Sequence, residues 1–487
     1  MSGLELSVRV VEDYGSKVDF RSSGFQRPAK AHAVMWPIKT SLYFLLFWAA
    51  CLMALVNPIW GVVNYLFAYQ TNPTNTWWGE PLEAMGMRFS LFAAGFTILG
   101  LFFGRKHVPE SRPMFAAWEW CAIGLLLMAF LSLLLEVTFD HRSRNAIDKF
   151  WKTMLFVLIL TRMGGRREHL RLIIWSLVLG SLYVGYDAYT ANPSDFLFGR
   201  LNRIGGPDFS TSSGTAAHMS AMLPIIGAAF LCTPSWLAKG LAALAGAFTV
   251  NTIVLCRTRS AFLGLLVGAL AAGLLAPRAR RFRIQCMLAM AVVLSFTLTD
   301  EHFWNRMKTL FHRETMQTDM AAVSRTEIWS TSVQILADHP LGIGVGNFAR
   351  VITQYEPRYA KRSTHNTVVV CFVELGVLGG LLFLGLVGLS LLYVYESYRL
   401  ADTTRQPLET KFLAHGLLVA CVTYFVTGLG TERFYCESFW WVLALPVCLH
   451  RLAVNEIGEA HGPFATAEVF TDTHSRRKPV RSAPDAC

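Results

Sequence analysis

The chain has 487 residues, of which 53% are hydrophobic, 13% aromatic and only 16% charged. Soluble globular domains average about 25% charged residues, and the missing charge here leaves apolar runs close to the roughly 20 residues that carry a helix across a bilayer. A soluble globular enzyme is excluded: the chain reads as an all-α polytopic membrane protein, and its net charge of +11 encodes orientation rather than nucleic-acid binding.

Residues 1–40 hold scattered charges (Arg9, Arg21, Arg27, Lys30) and no early apolar core, so they read as a cytosolic amino-terminal segment without a cleavable secretory signal. Apolar segments then follow near 41–57, 88–104, 115–139, 147–161, 172–190, 215–233, 236–255, 260–276, 284–299, 366–396, 412–430 and 437–450, which predicts about twelve spans. The first nine fall within 41–299 and the last three within 365–453. Alternate connections carry the basic residues: Arg105, Lys106 and Arg112; Arg162, Arg166, Arg167 and Arg171; Arg278, Arg280, Arg281 and Arg283; Arg399, Arg405 and Lys411. Positive charge stays cytoplasmic, so both termini are expected in the cytosol, with a polar, disordered tail over 454–487. The Asn-, Pro- and Trp-rich stretch 58–87 reads as an outer loop from which 59–69 can re-enter the membrane. The ten cysteines form no CxxC pair and lie in or beside apolar runs, as small core residues do.

Residues 300–364 are the one extramembrane stretch long enough to fold, and the charge pattern puts them on the outer side. Apolar positions at Ile328, Trp329, Val333, Ile335 and Leu336 predict an amphipathic helix over 324–337, with Ser324 as N-cap and Glu327 three residues on. A Gly-rich turn follows at 340–348.

The informative cations are those on the outer side. Arg200 and Arg203 precede the sixth span, Arg257 and Arg259 occupy the tight turn before the eighth, and His365 opens the tenth. Each of these helices starts at the outer surface, with capping residues at hand: Ser212, Ser213 or Thr215, then Ser260, then Thr364 or Asn366. Helix starts with unpaired N–H groups, together with arginine forks, suit a diphosphate. The same arginines can serve merely as headgroup anchors, and Arg142, Arg144 and Arg433 are read that way. His365 can take a proton from a hydroxyl near neutral pH. Glu374, nine residues on, falls on the opposite face of a straight helix and roughly 13 Å deeper, so it is read as a structural carboxylate. No metal-ligand spacing, phosphate loop, dinucleotide fingerprint or nucleophile elbow is found, and no cofactor is expected.

Three motifs then carry a resemblance. His365-Asn366-Thr367-Val368-Val369-Val370, with Glu374-Leu375-Gly376-Val377-Leu378-Gly379, resembles the H-N-x-x-L and E-x-G-x-x-G signature of the bacterial O-antigen ligase family. Arg325 to Trp329 with Pro340, Gly342, Gly344, Gly346 and Phe348 is similar to its R-x-x-x-W and P-x-x-G-x-G-x-x-F element, and Arg257-Thr258-Arg259-Ser260-Ala261 to its R-S-R turn. Val368 to Val370 stand where Leu is usual in that family.

The resemblance implies a GT-C-like, metal-independent, inverting glycosyltransferase of the inner membrane. It would move a glycan from a polyprenyl (undecaprenyl) diphosphate carrier to an acceptor hydroxyl at the periplasmic face, here a lipid A-core sugar. It implies that His365 activates the acceptor, that Arg257, Arg259, Arg203 and Arg200 bind the diphosphate, and that Arg325 and Arg350 in the loop hold sugars or close over the site. An O-antigen or exopolysaccharide polymerase and a protein O-oligosaccharyltransferase would use the same machinery. A lipid-linked glycan flippase or transporter is the rival class; its usual half-to-half repeat is not detected here.

Overall fold

The computed structural model describes residues 37–76, 78–109, 114–134, 141–202, 204, 206–277, 281–299, 301–308 and 320–461. The expectations for the amino-terminal segment and for most of the carboxy-terminal tail fall outside them, as does Arg203.

Each of the twelve apolar runs is a helix. In chain order the helices are α1 (Ile38–Val56), α2 (Ile59–Thr71), the short α3 (Glu80–Ala84), α4 (Phe89–Phe103), α5 (Ala117–Leu134), α6 (His141–Met163) and α7 (Arg167–Tyr189). A two-residue hairpin, Phe196–Leu197 against Arg200–Leu201, leads to α8 (Ser212–Cys232), α9 (Trp236–Cys256), α10 (Arg259–Leu274) and α11 (Arg281–Leu298). The polar connection holds α12 (Glu301–Lys308), α13 (Met320–Asp338) and α14 (Phe348–Tyr355), and the chain ends on α15 (Thr367–Leu400), α16 (Pro407–Gly428) and α17 (Glu437–His461). Among the described residues, seven helices are long and apolar enough to cross a membrane: α1, α5, α7, α8, α9, α15 and α16. This is a multi-pass membrane protein. Its outward-facing leucines, among them Leu45, Leu127, Leu134 and Leu381, are exposed as a lipid-facing surface requires.

The stretch 58–87 is more ordered than a loop. Residues 59–71 form a helix buried on nearly every face, packed against α4 and α7. The Asn-Pro pair at 57–58 ends α1 and starts α2 at once, because proline fits a first helical turn but cannot continue the preceding one. Ser324 is not an N-cap, since α13 already runs from Met320. The last helix continues to His461 and thus into the stretch expected to be tail.

At the heart of the bundle α16 packs on α8 and α10, α8 on α9, and α15 on α5 and α17. Aromatic side chains of Phe150, Phe383, Phe434, Phe439 and Trp440 interlock in the middle. The two groups of charges that the sequence separates lie at opposite ends of α8 and α16. At one end Arg171 pairs with Glu409 at 2.6 Å, Arg167 with Glu456 at 2.7 Å and Arg405 with Glu459 at 2.5 Å. Some 30 Å away by helix rise, the other end gathers the starts of α8, α10 and α15.

Candidate active site at three converging helix starts

The construction begins with the turn between α9 and α10. Arg257 ends α9 in the left-handed region, at φ 45°, and its Nη1 donates to the carbonyl of Gly199 at 2.7 Å. Gly199, itself at φ 69°, forms the tip of the hairpin. On the next residue, Arg200 donates from Nε to the Cys256 carbonyl at 3.2 Å and from Nη2 to the Thr258 hydroxyl at 3.1 Å. Arg200 thus caps the orphan carbonyl end of α9, a favourable place for a cation. The Thr258 hydroxyl lies 3.3 Å from the carbonyl of Ser212, and the Asn202 side chain accepts from Ser212 N at 2.9 Å. Hairpin, turn and the start of α8 are therefore one laced unit.

The connection 429–436 joins that unit to α15. Ser260, in the first turn of α10, shares a 2.8 Å hydrogen bond with the Thr431 hydroxyl. Thr367, the first residue of α15, donates to the carbonyls of Gly428 at 2.9 Å and Thr431 at 3.1 Å. Arg433 N donates back to the Thr367 hydroxyl at 2.9 Å, and Arg433 Nη1 reaches the Asp208 carbonyl at 3.4 Å, just before α8. Three helix starts, each with N–H groups to offer, therefore meet around Thr431.

Asn366 caps α15 as expected, accepting from Val368 N at 2.9 Å and Val369 N at 3.2 Å. The other two caps differ from expectation. Thr211 caps α8 through Gly214 N, and Thr258 stands at the cap position of α10 while the Ser260 hydroxyl is used on Thr431.

His365 sits immediately before this cap at φ 51°, a backbone state that a residue with a Cβ adopts at a cost and that clusters at functional sites. Its ring is accessible to solvent, with Nδ1 3.4 Å from the Ser363 hydroxyl. The surrounding wall nonetheless displaces much of its hydration. That enclosure, followed by the charges of Arg325, Arg362 and Arg433, lowers its pKa to about 4. Arg200 is lowered to about 10, by enclosure first and then by Arg306, Arg259 and Arg325. Arg325 contributes to both shifts, which sets it near both the hairpin and His365.

Of the residues singled out in the sequence, Arg200, Arg257, Arg259, Arg325 and His365 come together at this end. Arg350 lies on the exposed face of α14, and the charges acting on His365 come from other residues. Arg433, read as a headgroup anchor, is instead tied to Asp208 and Glu432 inside the assembly. Arg306, Arg362 and Glu432 were not singled out. The Glu432 carboxylate accepts from Thr364 at 3.1 Å, and Arg306 is brought in where α12 rests Phe303 against Phe262 of α10. The signal available for Arg362 and Arg433 was their placement on the outer side, next to His365 and to the twelfth span.

Glu374 is a clamp on the Gly-rich turn. It is buried, accepts from Gly346 N at 2.8 Å and Phe348 N at 3.0 Å, and receives the Tyr435 hydroxyl. Two residues on, Gly376 breaks α15 at φ 72° and ψ −177°. The break lets the Gly-rich turn dock, with Ile343 N on the Val373 carbonyl at 3.0 Å and Val377 N on the Pro340 carbonyl at 3.0 Å.

Residues 242–384 match the family described as O-antigen ligase. The chain carries an O-antigen ligase family domain. That domain runs from inside α9 to just past the break in α15 and so includes the Arg257 turn, the connection with α12 to α14, and His365. Arg200 and the 429–436 connection lie outside the matched segment yet complete the same assembly. No curated protein matches the chain.

Proposed function

We propose that this protein is a metal-independent, inverting glycosyltransferase acting as an O-antigen ligase, transferring a glycan from a polyprenyl diphosphate carrier to a lipid A-core sugar. In this reading twelve spans cross the bacterial inner membrane, nine within 41–299 and three within 365–453. Both termini face the cytosol, and the connection 300–364 faces the periplasm over the site.

The acceptor hydroxyl gives its proton to the neutral imidazole of His365 as its oxygen attacks the anomeric carbon from the face opposite the diphosphate. The bond between that carbon and the phosphate oxygen breaks, and the carrier leaves with the electron pair. Arg200, Arg257 and Arg259, with Arg203 beside them in sequence, meet the growing charge together with the starts of α8 and α10. A low pKa suits the first step, because a protonated histidine cannot act as base.

The observation that carries this reading is the hydrogen-bonded chain from the Arg257 turn through Ser260 and Thr431 to Thr367, which joins a candidate diphosphate site to a candidate base at His365. The test is transfer by purified protein in the presence of chelator. His365→Ala should lower turnover about 10²- to 10⁴-fold, and Arg257→Ala should weaken use of the donor, both with unchanged folding. A strict magnesium requirement overturns the reading. In cells lacking the protein, full-length polymer stranded on carrier marks a ligase, whereas single stranded repeats mark a polymerase.

A further inference from the structure

We propose that a cleft beside the hairpin, between the ends of α2 and α7, holds an uncharged saccharide segment of the donor glycan, away from the bond that is transferred. This rests on the glycosyl-transfer reading above and adds a second contact between the protein and its donor.

The cleft encloses about 700 Å³, within the size range of small-ligand sites. One wall is aromatic. Tyr183 and Tyr186 stand three residues apart in the last two turns of α7, on one face of that helix. The Trp78 indole donates to the Tyr183 hydroxyl at 3.2 Å, and the Tyr43 ring of α1 lies 5.4 Å from that of Trp78. Tyr186 is set edge-on against Phe248 of α9 at 6.3 Å and keeps 48% of its surface open. Aromatic residues that only anchor a helix at headgroup depth keep their rings toward lipid, whereas Trp78 is 6% exposed and lines the cleft. Across from the rings stand the exposed Asn75 and Asn192 and the root of the hairpin at Asp195. Asp195 is held in place: its Oδ2 accepts from Asn192 N at 2.9 Å, and its carbonyl accepts from Asn202 N at 2.7 Å.

The lining selects the chemistry. Rigid rings with hydroxyl tips, faced by amides and a carboxylate, match a ligand with apolar C–H faces and hydroxyl edges, which is a sugar. Asp187 and Asp195 outnumber Lys39 in the lining, so the phosphate of a lipid headgroup is repelled. Lys39 in turn supplies a cation of the chain's own, where aromatic rings would otherwise draw an ammonium headgroup.

Position then assigns the sugar to the donor. Ile204, on the cleft, packs with Leu201, Cys256 and Ala261 beside the Arg257 turn, and Asp195 leads straight into the hairpin that carries Arg200. The arginines assigned to the diphosphate therefore stand between the cleft and His365, where the acceptor enters. A glycan that extends past those arginines into the cleft belongs to the donor. Contacts made there are the same before and during bond formation, so they act on KM and not on kcat.

The test uses the full-length purified protein, lipid A-core acceptor, and lipid-linked donors carrying either one repeat or a long glycan. Tyr186→Ala should raise the KM of the long donor about fivefold and leave kcat and the one-repeat donor unchanged, which also reports intact folding. Tyr186→Phe keeps the ring and should behave as wild type, while Asn192→Ala, on the opposite wall, should act as Tyr186→Ala does. A titration without chemistry accompanies this: long glycan released from its carrier should bind the wild-type protein and bind Tyr186→Ala about fivefold more weakly. The proposal is overturned if Tyr186→Ala changes both donors alike or neither, if released glycan binds the two proteins equally or not at all, or if phosphatidylethanolamine displaces it. If the wild-type protein forms no glycosidic bond, the transfer reading fails, and the titration alone then decides whether the cleft holds glycan.

Discussion

The indole of Trp329 donates to the backbone carbonyl of Thr364 at 2.9 Å, so the helix that crosses the polar connection is bonded to the residue beside His365. Trp329→Phe keeps the ring and removes the donor. The expected cost is about 1 kcal/mol in stability, together with a fall in turnover larger than that loss accounts for, because His365 and Arg325 no longer share a support. Thermal unfolding and single-turnover transfer, measured side by side, check this. Equal, small effects on both would show that the bond serves folding alone.

The low pKa of His365 fixes the sign of a pH effect. The neutral imidazole is the active form, so activity should fall as pH drops through the pKa of the folded protein, about 4, rather than through the ordinary value near 6.5. The pH profile of kcat/KM, which reports the free enzyme, should stay flat down to about pH 5. A limb at pH 6.5 would mean that neither enclosure nor the arginines act on the ring.

Gly376 supports a sharper expectation. A Cβ there would stand 2.5 Å from the carbonyl carbon of Leu341 and 2.6 Å from the Pro340 carbonyl oxygen, at a φ of 72°. Gly342 faces it with the same lack of room, 2.5 Å from the Glu374 carbonyl oxygen. Gly376→Ala should therefore cost about 3 kcal/mol and expel the Gly-rich turn, measured as a lower Tm and as protease cleavage between α13 and α14. Gly388, which has open space around its Cβ direction, is the control: Gly388→Ala should leave Tm unchanged or slightly raised.

At the other end of the bundle Glu119 and Arg451 form a buried pair at 2.6 Å, with Thr161 donating to the same carboxylate at 2.5 Å. Removing one partner strands a buried charge, and Glu119→Ala should cost about 3 kcal/mol. Adding Arg451→Met should recover most of it. Unfolding in detergent measures both, and a double variant no better than the single would show that packing, not charge, carries the loss.

How much could be read beforehand depended on what each residue type signals alone. Apolar length located every span-like helix, and the cap at Asn366 was legible because a side-chain acceptor before an apolar run has few other uses. The helix Ile59–Thr71 was half hidden, since Asn, Pro and Trp around it read as loop and its burial comes from neighbours distant in sequence. Arg433 could not be told from an anchor, because an arginine at headgroup depth has the same local pattern whether it meets lipid or, as here, the Asp208 carbonyl. Glu374 reads as a structural carboxylate from the pitch of a straight helix, whereas α15 is broken at Gly376 and the carboxylate holds a turn that sequence spacing alone does not dock.

The interruption at Gly376 divides α15 mechanically. Its upper piece, 367–375, is fastened to the Gly-rich turn through Val373 and Glu374 and to Gly428 and Thr431 through Thr367, while the lower piece continues toward Leu400 and carries exposed leucines such as Leu381 and Leu392. At this joint the backbone leaves helical geometry, so the lower piece is coupled to the upper one through a single non-helical residue. His365, two residues before the upper piece, therefore takes its place from the segments that hold Thr367, Val373 and Glu374 rather than from the long lower helix.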